Sequence, residues 1–352
     1  MSQPAKLFRY ILWTLAAIGS YILITIVFRN GLRDEWYLGL ETGQLHGSPD
    51  GTLLRTITGI GVIDIVSKEF ILMAWPATSG NCSALSLVAI QLVATWGISH
   101  ILVALDARRE GTVAGVAWRL AWLGLLESRF SLAITLPVYL ATTLSPHRTD
   151  ARKTAPPFRS IPNLKRCFII GLYFYVPILA LTSPDILSYN TKQILMISMY
   201  DWSASVSVML WALSSQSHTM QYDRPASERR ATYLFTLGTA MSCHWGALLF
   251  PLLRDVVSLR DVFVPVFPWS VVRFPSIVEA TTAFFQWDYI VSATSLLVWA
   301  VGLNVQDSHE PVSICRVAIE AFLLSVVTSP AGAAVVFIWR LDESLSRRAK
   351  VE

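Results

Sequence analysis

Residues 284–303 read FFQWDYIVSATSLLVWAVGL, a run of 20 residues in which Asp288 is the only charged side chain. About 20 mostly apolar residues are what a helix needs to cross the hydrocarbon core of a bilayer. The apolar residues form a continuous run and do not alternate with polar ones, so the pattern favours a helix over a strand of a membrane barrel. The stretch therefore predicts a membrane-spanning helix that carries one carboxylate.

The composition of the whole chain agrees with this prediction. Of the 352 residues, 53% are hydrophobic and only 15% are charged, and the mean hydropathy is +0.50. Soluble domains usually contain about 25% charged residues. The net charge of +4 is modest, and the basic residues lie in short connecting loops, as membrane topology requires. Nothing in this distribution indicates nucleic-acid binding.

Similar apolar runs recur from one end of the chain to the other. They predict an all-α, polytopic membrane bundle with eight or nine transmembrane helices, built as a single domain over residues 1–352. A polar, basic loop at about residues 144–166 is predicted to lie on the cytoplasmic side. The predicted spans are residues 10–28, 54–75, 83–105, 113–140, 167–181, 193–213, 231–253, 280–303 and 317–339.

Other apolar runs also contain acidic residues, among them Asp64, Glu127 and Asp201. An ionisable group inside a span costs roughly 2.5–3.5 kcal/mol on insertion scales and usually faces an interior site. Asp64 can pair with Lys68 on the same helix face, or it can line a cavity in which Lys68 tunes its ionisation. Glu127 can form a structural salt bridge to another helix or take part in chemistry. Asp201 lies too deep in its run to reach the membrane surface easily, which favours a functional role.

Asp201 and Asp288 each lie between two aromatic residues. Trp and Tyr are common at the membrane–water interface, so an interfacial position is one interpretation of this setting. The other is an apolar pocket that handles a cation, because the faces of aromatic rings stabilise positive charge. The candidate pocket aromatics are Tyr200, Trp202, Trp287 and Tyr289.

Cofactor and metal motifs are missing from the sequence. It contains no P-loop, no GxSxG, no GxGxxG and no aspartate-rich diphosphate motif, and its four cysteines form no CxxC pair. His100 and His244 stand alone, without the spacing that a zinc site needs. We therefore predict no cofactor and no metal, and we expect both histidines to be hydrogen-bonded core residues.

Four segments together resemble one family of fungal membrane enzymes. They are a polar stretch leading into a span with an aspartate (residues 32–70), ISHILVALDARREGT (98–112), LLESRFSLAITLPVYL (125–140) and the opening run at 284–303. The chain is similar over most of its length to the membrane-bound terpene cyclases of the ascofuranone, ascochlorin and macrophorin type.

The resemblance implies cyclisation of a prenyl chain on an aromatic or polyketide head, commonly after epoxidation, in meroterpenoid biosynthesis. A buried carboxylic acid would protonate the epoxide, and exclusion of water would protect the cation. We rank Asp288 and Asp201 first as the acid, with Asp64 and Glu127 next. The resemblance also implies a lipophilic substrate that enters from the bilayer, no cofactor, pathway enzymes in the same membrane and location in the endoplasmic reticulum.

A small-molecule or proton-coupled membrane transporter is the alternative interpretation of the same residues. Buried acids, arginines and histidines suit a transporter as well as an enzyme. Transporters of this kind are often built from internal repeats with paired broken helices. The sequence shows no internal repeat, so the cyclase interpretation is favoured.

Overall fold

A computed structural model describes ten stretches of the chain. They are residues 3–48, 51–54, 56–80, 83–110, 112–144, 161, 163–215, 226–254, 257–307 and 313–348. Most of the predicted loop at 144–166 lies outside the described residues. The described part is helical and contains no strand, only a single bridge between Gln44 and Thr52. The predicted all-α class is therefore confirmed.

Fifteen α-helices follow one another along the described part of the chain. The first eight are α1 (Gln3–Ile24), α2 (Leu32–Thr42), α3 (Gly61–Thr78), α4 (Ser83–Glu110), α5 (Val113–Phe130), α6 (Leu132–Thr143), α7 (Leu164–Phe168) and α8 (Tyr175–Leu179). The other seven are α9 (Tyr189–Tyr200), α10 (Trp202–Ser215), α11 (Ala226–Leu253), α12 (Leu259–Phe263), α13 (Ile277–Asp307), α14 (Ile314–Thr328) and α15 (Pro330–Arg348).

Three of the described helices are long and apolar enough to cross a membrane. They cover Lys6–Arg29, Ser83–Arg109 and Ile277–Gln306. A fourth crossing is present if α9 and α10 count as one span with a bend of 60°. The predicted eight or nine spans are not confirmed, because several predicted runs are divided into shorter helices.

Helix α13 occupies the centre of the bundle, where α1, α4, α6 and α15 pack around it. Small and hydroxylated residues such as Ser292, Ala293 and Ser295 are completely buried along it, which lets the neighbouring backbones approach closely. Gly19 does the same for α1, since a Cβ there would lie 2.7 Å from the carbonyl oxygen of Ala133. The buried apolar side chains form one continuous cluster around this centre.

Two serines separate consecutive helices of the bundle in the same way. Ser131 separates α5 from α6, and Ser329 separates α14 from α15, with φ angles of 73° and 76°. A positive φ is costly for a residue other than glycine, and it ends the helix there. Each serine hydroxyl then accepts a hydrogen bond from a backbone N–H in the first turn of the next helix. Each break therefore leaves helix-end carbonyls and a serine hydroxyl inside the bundle.

A segment at residues 264–274 is held against the bundle by hydrogen bonds from the buried Asn30 and the half-buried Trp287. The Asn30 amide donates to the carbonyls of Pro268 (3.1 Å) and Val271 (2.6 Å). Trp287 Nε1 donates to the Val266 carbonyl at 3.0 Å. The outward side of the segment is apolar and exposed at Val264, Val266, Phe267, Trp269 and Val272.

Candidate active site

The α5–α6 break brings two buried carboxyl groups together in the middle of the bundle. Glu127 lies in the last turn of α5, and Asp288 lies on the central helix α13. Their exposed fractions are only 3% and 6%. The two groups are close enough to interact electrostatically. Of the four acids that the sequence indicates, the structure brings these two together.

Asp288 is held in place by the start of α6. Its Oδ1 accepts hydrogen bonds from the Ser131 hydroxyl at 2.8 Å and from the Ala133 backbone N–H at 2.6 Å. The N-terminus of a helix is a favourable place for a negative charge, because its first N–H groups lack partners within the helix. Asp288 is therefore placed to remain a carboxylate.

Glu127 has a different environment. Its Oε2 accepts a hydrogen bond from the Trp96 indole N–H and lies 3.4 Å from His100 Nε2. Its Oε1 is buried and has no hydrogen-bond partner within the described part of the chain. A buried carboxyl oxygen of this kind is available to a group that enters the site.

The orientation of the His100 ring determines which nitrogen faces Glu127. His100 Nδ1 lies 3.1 Å from the Trp96 carbonyl, and a carbonyl can only accept, so Nδ1 carries the hydrogen. His100 Nε2 then faces Glu127 Oε2 at 3.4 Å, and both side chains are completely buried. Nε2 has no hydrogen-bond partner within the described residues. One proton added to either of the two facing atoms would lie between Glu127 and His100.

Aromatic rings surround the Glu127–His100 pair. Trp202 stands edge-on to His100, with ring centroids 4.6 Å apart, and edge-on to Trp96 at 5.5 Å. Phe168 lies on Trp202 at 5.6 Å. The Trp202 side chain is completely buried. Of the four predicted pocket aromatics, Trp202 is the one that the structure places against the Glu127–His100 pair.

Tyr200 supports the α5–α6 break from outside the pair. Its hydroxyl donates to the Ser128 carbonyl, one of the carbonyls that the end of α5 leaves without a helical partner. Arg129 donates to the same hydroxyl at 3.1 Å and also lies over the Tyr200 ring. Tyr200 was predicted as a pocket residue, but its contacts are those of a structural support for the break that carries Ser131.

Asp64 and Asp201 have other surroundings. Asp64 Oδ1 accepts from the backbone N–H and the hydroxyl of Thr58, both at 2.7 Å, and Oδ2 accepts from the Gly59 N–H. It therefore fixes the loop that enters α3. Asp201 is exposed, because α9 ends there and the chain bends before α10. The apolar run that contains Asp201 is two helices with a bend of 60° and not one straight span, so Asp201 lies at the bend and not beside Glu127 and Asp288.

The remaining predicted aromatics point away from the carboxyl pair. Trp287 contacts the segment at 264–274. It donates a hydrogen bond to the Val266 carbonyl, and its ring lies 5.5 Å from that of Phe267. Tyr289 lines a separate small cavity beside α11. Neighbours on a helix point in directions about 100° apart, so flanking an acid in sequence does not place a ring on it.

Sequence reasoning missed Trp96, His100 and Ser131. One signal was readable: Trp96 and His100 are four residues apart on a predicted helix, so they share a face. That Glu127 completes the group depends on the packing of α4 against α5, which no local pattern contains. Ser131 carried no signal at all, because serine is not a residue from which a positive φ is expected.

Comparison with known proteins agrees with the sequence resemblance. The chain belongs to the CtvD domain family, which matches residues 8–346. It is 38% identical over 343 residues to terpene cyclase sdgD of Emericella nidulans, covering 97% of this chain and 95% of the relative. Terpene cyclase verU1 of Penicillium polonicum is 34% identical over 352 residues, with 97% and 95% covered.

A more distant relative carries the same description. Terpene cyclase ascI of Acremonium egyptiacum is 26% identical over 366 residues, covering 97% of this chain and 93% of the relative. No solved structure matches the chain significantly. The relatives are all described as cyclases, so the comparisons give no support to the transporter alternative.

Proposed function

We propose that the chain is a terpene cyclase of fungal meroterpenoid biosynthesis, which cyclises an epoxidised prenyl chain by acid-initiated carbocation chemistry. The observation that carries the proposal is the buried Glu127–His100 pair, in which Glu127 Oε2 and His100 Nε2 face each other at 3.4 Å with room for one proton between them. Opening an epoxide needs a proton delivered in a site that excludes water. A pair of this kind stores that proton away from solvent.

Glu127 is the proton donor in this proposal. Its Oε1 has no hydrogen-bond partner among the described residues, whereas Asp288 Oδ1 already accepts two hydrogen bonds. Rotation of the carboxyl group brings the protonated oxygen from the side of His100 to the unpartnered position, where it meets the epoxide. Two carboxyl groups in different environments divide the acid and base roles between them. The ranking from sequence, with Asp288 first, is therefore revised in favour of Glu127.

The remaining groups of the site act on the charge that develops. Glu127 gives its proton to the epoxide oxygen, the C–O bond breaks, and positive charge appears on carbon. The indole rings of Trp96 and Trp202 can stabilise that charge through their faces. Asp288, held as a carboxylate by Ser131 and Ala133, offsets it electrostatically. An attacking alkene then forms the ring bond, and the substrate needs no cofactor for any of these steps.

The proposal includes a multi-pass location in the membrane of the endoplasmic reticulum, with eight or nine crossings. Support comes from large apolar side chains that are exposed on helices beyond the three long spans. Examples are Trp118 on α5, Trp211 on α10, Leu249 on α11 and Phe322 on α14. Exposed apolar surface on this scale is typical of contact with lipid. A lipophilic prenylated substrate would reach the site from the same bilayer, beside the enzymes that make it.

The direct test incubates microsomes that contain the protein with prenyl-epoxide substrates. We expect a cyclised isomer of unchanged mass, detected by chromatography and mass spectrometry. Glu127→Gln keeps the shape of the side chain and removes its acidity, so it is expected to lower the rate at least about 100-fold, in the range that general acid catalysis contributes.

The matched control is Glu279→Gln, which changes an exposed glutamate in the first turn of α13. It is expected to retain wild-type cyclisation.

Carbonate-washed membranes must also retain the protein, as an integral location requires. Normal cyclisation by a folded Glu127→Gln enzyme would remove Glu127 as the donor, and release of the protein by carbonate would remove the membrane part of the proposal.

A further inference from the structure

A second polar site lies at the other helix break. A small buried cavity is enclosed by α4, α11, α13 and Ser329, the residue that separates α14 from α15. The cavity has about 10 Å³ in which the centre of a water molecule can lie. This volume is roughly the minimum that one water needs. Its polar lining consists of Gln91, Thr95, Cys243, His244, Tyr289 and Ser329.

His244 presents an unprotonated nitrogen in this region. Its Nε2 lies 3.0 Å from the Val326 carbonyl, which can only accept, so Nε2 carries the hydrogen. In the neutral ring, Nδ1 is then the nitrogen with a lone pair. It is buried and has no hydrogen-bond partner within the ranges that the structure describes, and the residue as a whole is only 8% exposed. A neutral imidazole with a free lone pair is a proton acceptor.

Gln91 supplies the complementary group. Its side chain is 4% exposed, and its amide Nε2 has no acceptor among the residues described. A water in the cavity could accept a hydrogen bond from Gln91 and donate one to His244. A buried polar cavity with room for one water and with an unsatisfied donor and an unsatisfied acceptor is a site that water fills favourably.

The cavity and the proton-donating pair share the same two helices. Thr95 lines the cavity, and the next residue, Trp96, bonds to Glu127. Tyr289 lines the cavity, and the preceding residue, Asp288, belongs to the carboxyl pair. Consecutive Cα atoms are about 3.8 Å apart. The two polar sites therefore lie at the same level along α4 and along α13.

We propose that His244 is the proton acceptor that ends the reaction, acting through a water held between it and Gln91. This inference rests on the proposed cyclase function. In the final step, a C–H bond next to the cationic carbon breaks and its electron pair forms a C=C bond. The released proton passes to the water, and the water passes one of its own to His244 Nδ1. The epoxide oxygen gained one proton at the start, so the product is an isomer of the substrate.

The test separates the start of the reaction from its end. Wild-type and variant enzymes are given a prenyl epoxide, and both substrate consumption and product identity are measured. Glutamine in His244→Gln can still donate to the Val326 carbonyl but has no basic nitrogen. We expect consumption within about threefold of wild type, with more than half of the product diverted to water-captured alcohols 18 mass units heavier or to other alkene isomers.

A second variant keeps the histidine and its bond to Val326. Gln91→Leu removes the donor that holds the water, and we expect the same diversion of product at a smaller extent. If His244→Gln does not fold, this variant alone decides the question. An unchanged product from either folded variant would overturn the inference.

Trp245→Phe is the matched structural control. Trp245 Nε1 donates to the Val327 carbonyl at 3.0 Å, one residue along the same helix end. Its removal deletes a hydrogen bond to that helix end but leaves the imidazole in place, so the product should not change. An identical product shift in Trp245→Phe would show that the effect is structural and would overturn the inference. The proposed function fails separately, if wild-type enzyme consumes no epoxide.

Discussion

Ser131 and Asp288, which are 157 residues apart in the sequence, are joined by a hydrogen bond of 2.8 Å between the serine hydroxyl and the carboxylate. The same hydroxyl accepts the Ala133 N–H at the start of α6. One side chain thus begins a helix and positions an acid on another helix. The position of Asp288 in the candidate active site therefore depends on this residue.

Replacement of that hydroxyl is the first prediction. Ser131→Ala removes the helix cap and a hydrogen bond to a charged group, which should lower stability by about 1–3 kcal/mol. A less well-held Asp288 should also lower the cyclisation rate about tenfold, equivalent to ~1.4 kcal/mol. Thermal unfolding in detergent and the microsomal assay measure the two effects.

Ser188→Ala is the control for this variant. Ser188 caps α9 by accepting the Thr191 N–H at 3.1 Å, and it has no carboxylate to position. Stability should fall by about 1 kcal/mol while the rate remains that of wild type. Equal rates for the two variants would show that Ser131 acts only as a helix cap.

Removal of the Asp288 charge should slow the reaction without blocking the proton donor. Asp288→Asn can still accept from Ser131 and Ala133, but it no longer offsets the positive charge on the substrate. We expect a loss of about 100-fold in rate, within the range that electrostatic stabilisation contributes. Asp201→Asn, at an exposed carboxylate, should cyclise normally. A wild-type rate for folded Asp288→Asn would exclude Asp288 from the mechanism.

Tyr200 gives a prediction about the support of the break. In Tyr200→Phe the Ser128 carbonyl loses its donor and Arg129 loses its acceptor. A buried carbonyl without a partner costs about 1–3 kcal/mol; the Ser128 carbonyl is partly buried, so a cost near the lower end and a lower melting temperature are expected. Tyr10→Phe, at an exposed ring on α1, is the control. If both variants melt alike, the Tyr200 hydroxyl does not hold the break.

Asn30 gives a prediction about the segment at 264–274. Its amide holds two carbonyls there, and its own carbonyl accepts the Phe274 N–H at 3.1 Å. Asn30→Ala should raise amide hydrogen exchange over residues 264–274 about tenfold or more. In the variant, the segment can open without breaking the Asn30 side-chain hydrogen bonds, so opening is less costly and more frequent. Asn304→Ala, which removes a bond to the Phe337 carbonyl, should leave exchange in that segment unchanged. Equal exchange in Asn30→Ala and wild type would contradict this role.

Asp64 gives a prediction about pH. The Thr58 backbone N–H, followed by the Thr58 hydroxyl, lowers the pKa of the Asp64 carboxyl below its usual value of 3.8. Since the folded-state pKa is the lower one, the charge contributes stability above the unfolded pKa, and that contribution is lost as the pH falls through the folded pKa. Asp64→Asn should therefore melt below wild type at pH 7.

The gap between Asp64→Asn and wild type should be constant down to about pH 5 and should shrink below about pH 4, near the unfolded-state pKa. Melting curves of the two proteins across this range provide the measurement. Asp185→Asn, at an exposed loop residue, is the control. A gap that does not narrow in acid would contradict the assigned cause.

The sequence predicts the helical class and the importance of acids in apolar runs, because both follow from local composition. It could not predict the division of those runs, since the breaks at Ser131 and Ser329 depend on a backbone conformation that serine seldom adopts. The bend at Asp201, where α9 ends and α10 begins, also has no signal in the apolar pattern of residues 193–213. The pairing of Glu127 with His100 is a tertiary contact between two helices, and no spacing along one helix contains it.

The bond between Ser131 and Asp288 also has a consequence for how the protein is made. At about 5–20 residues per second, a ribosome needs roughly 8–30 s to extend the chain by the 157 residues from Ser131 to Asp288. During that interval α5 and α6 are complete, but the carboxylate that meets Ser131 has not been synthesised. A chain that stops before residue 277 keeps Glu127 and His100 and has no α13. The catalytic centre is therefore completed late in translation, when α13 is added to the bundle.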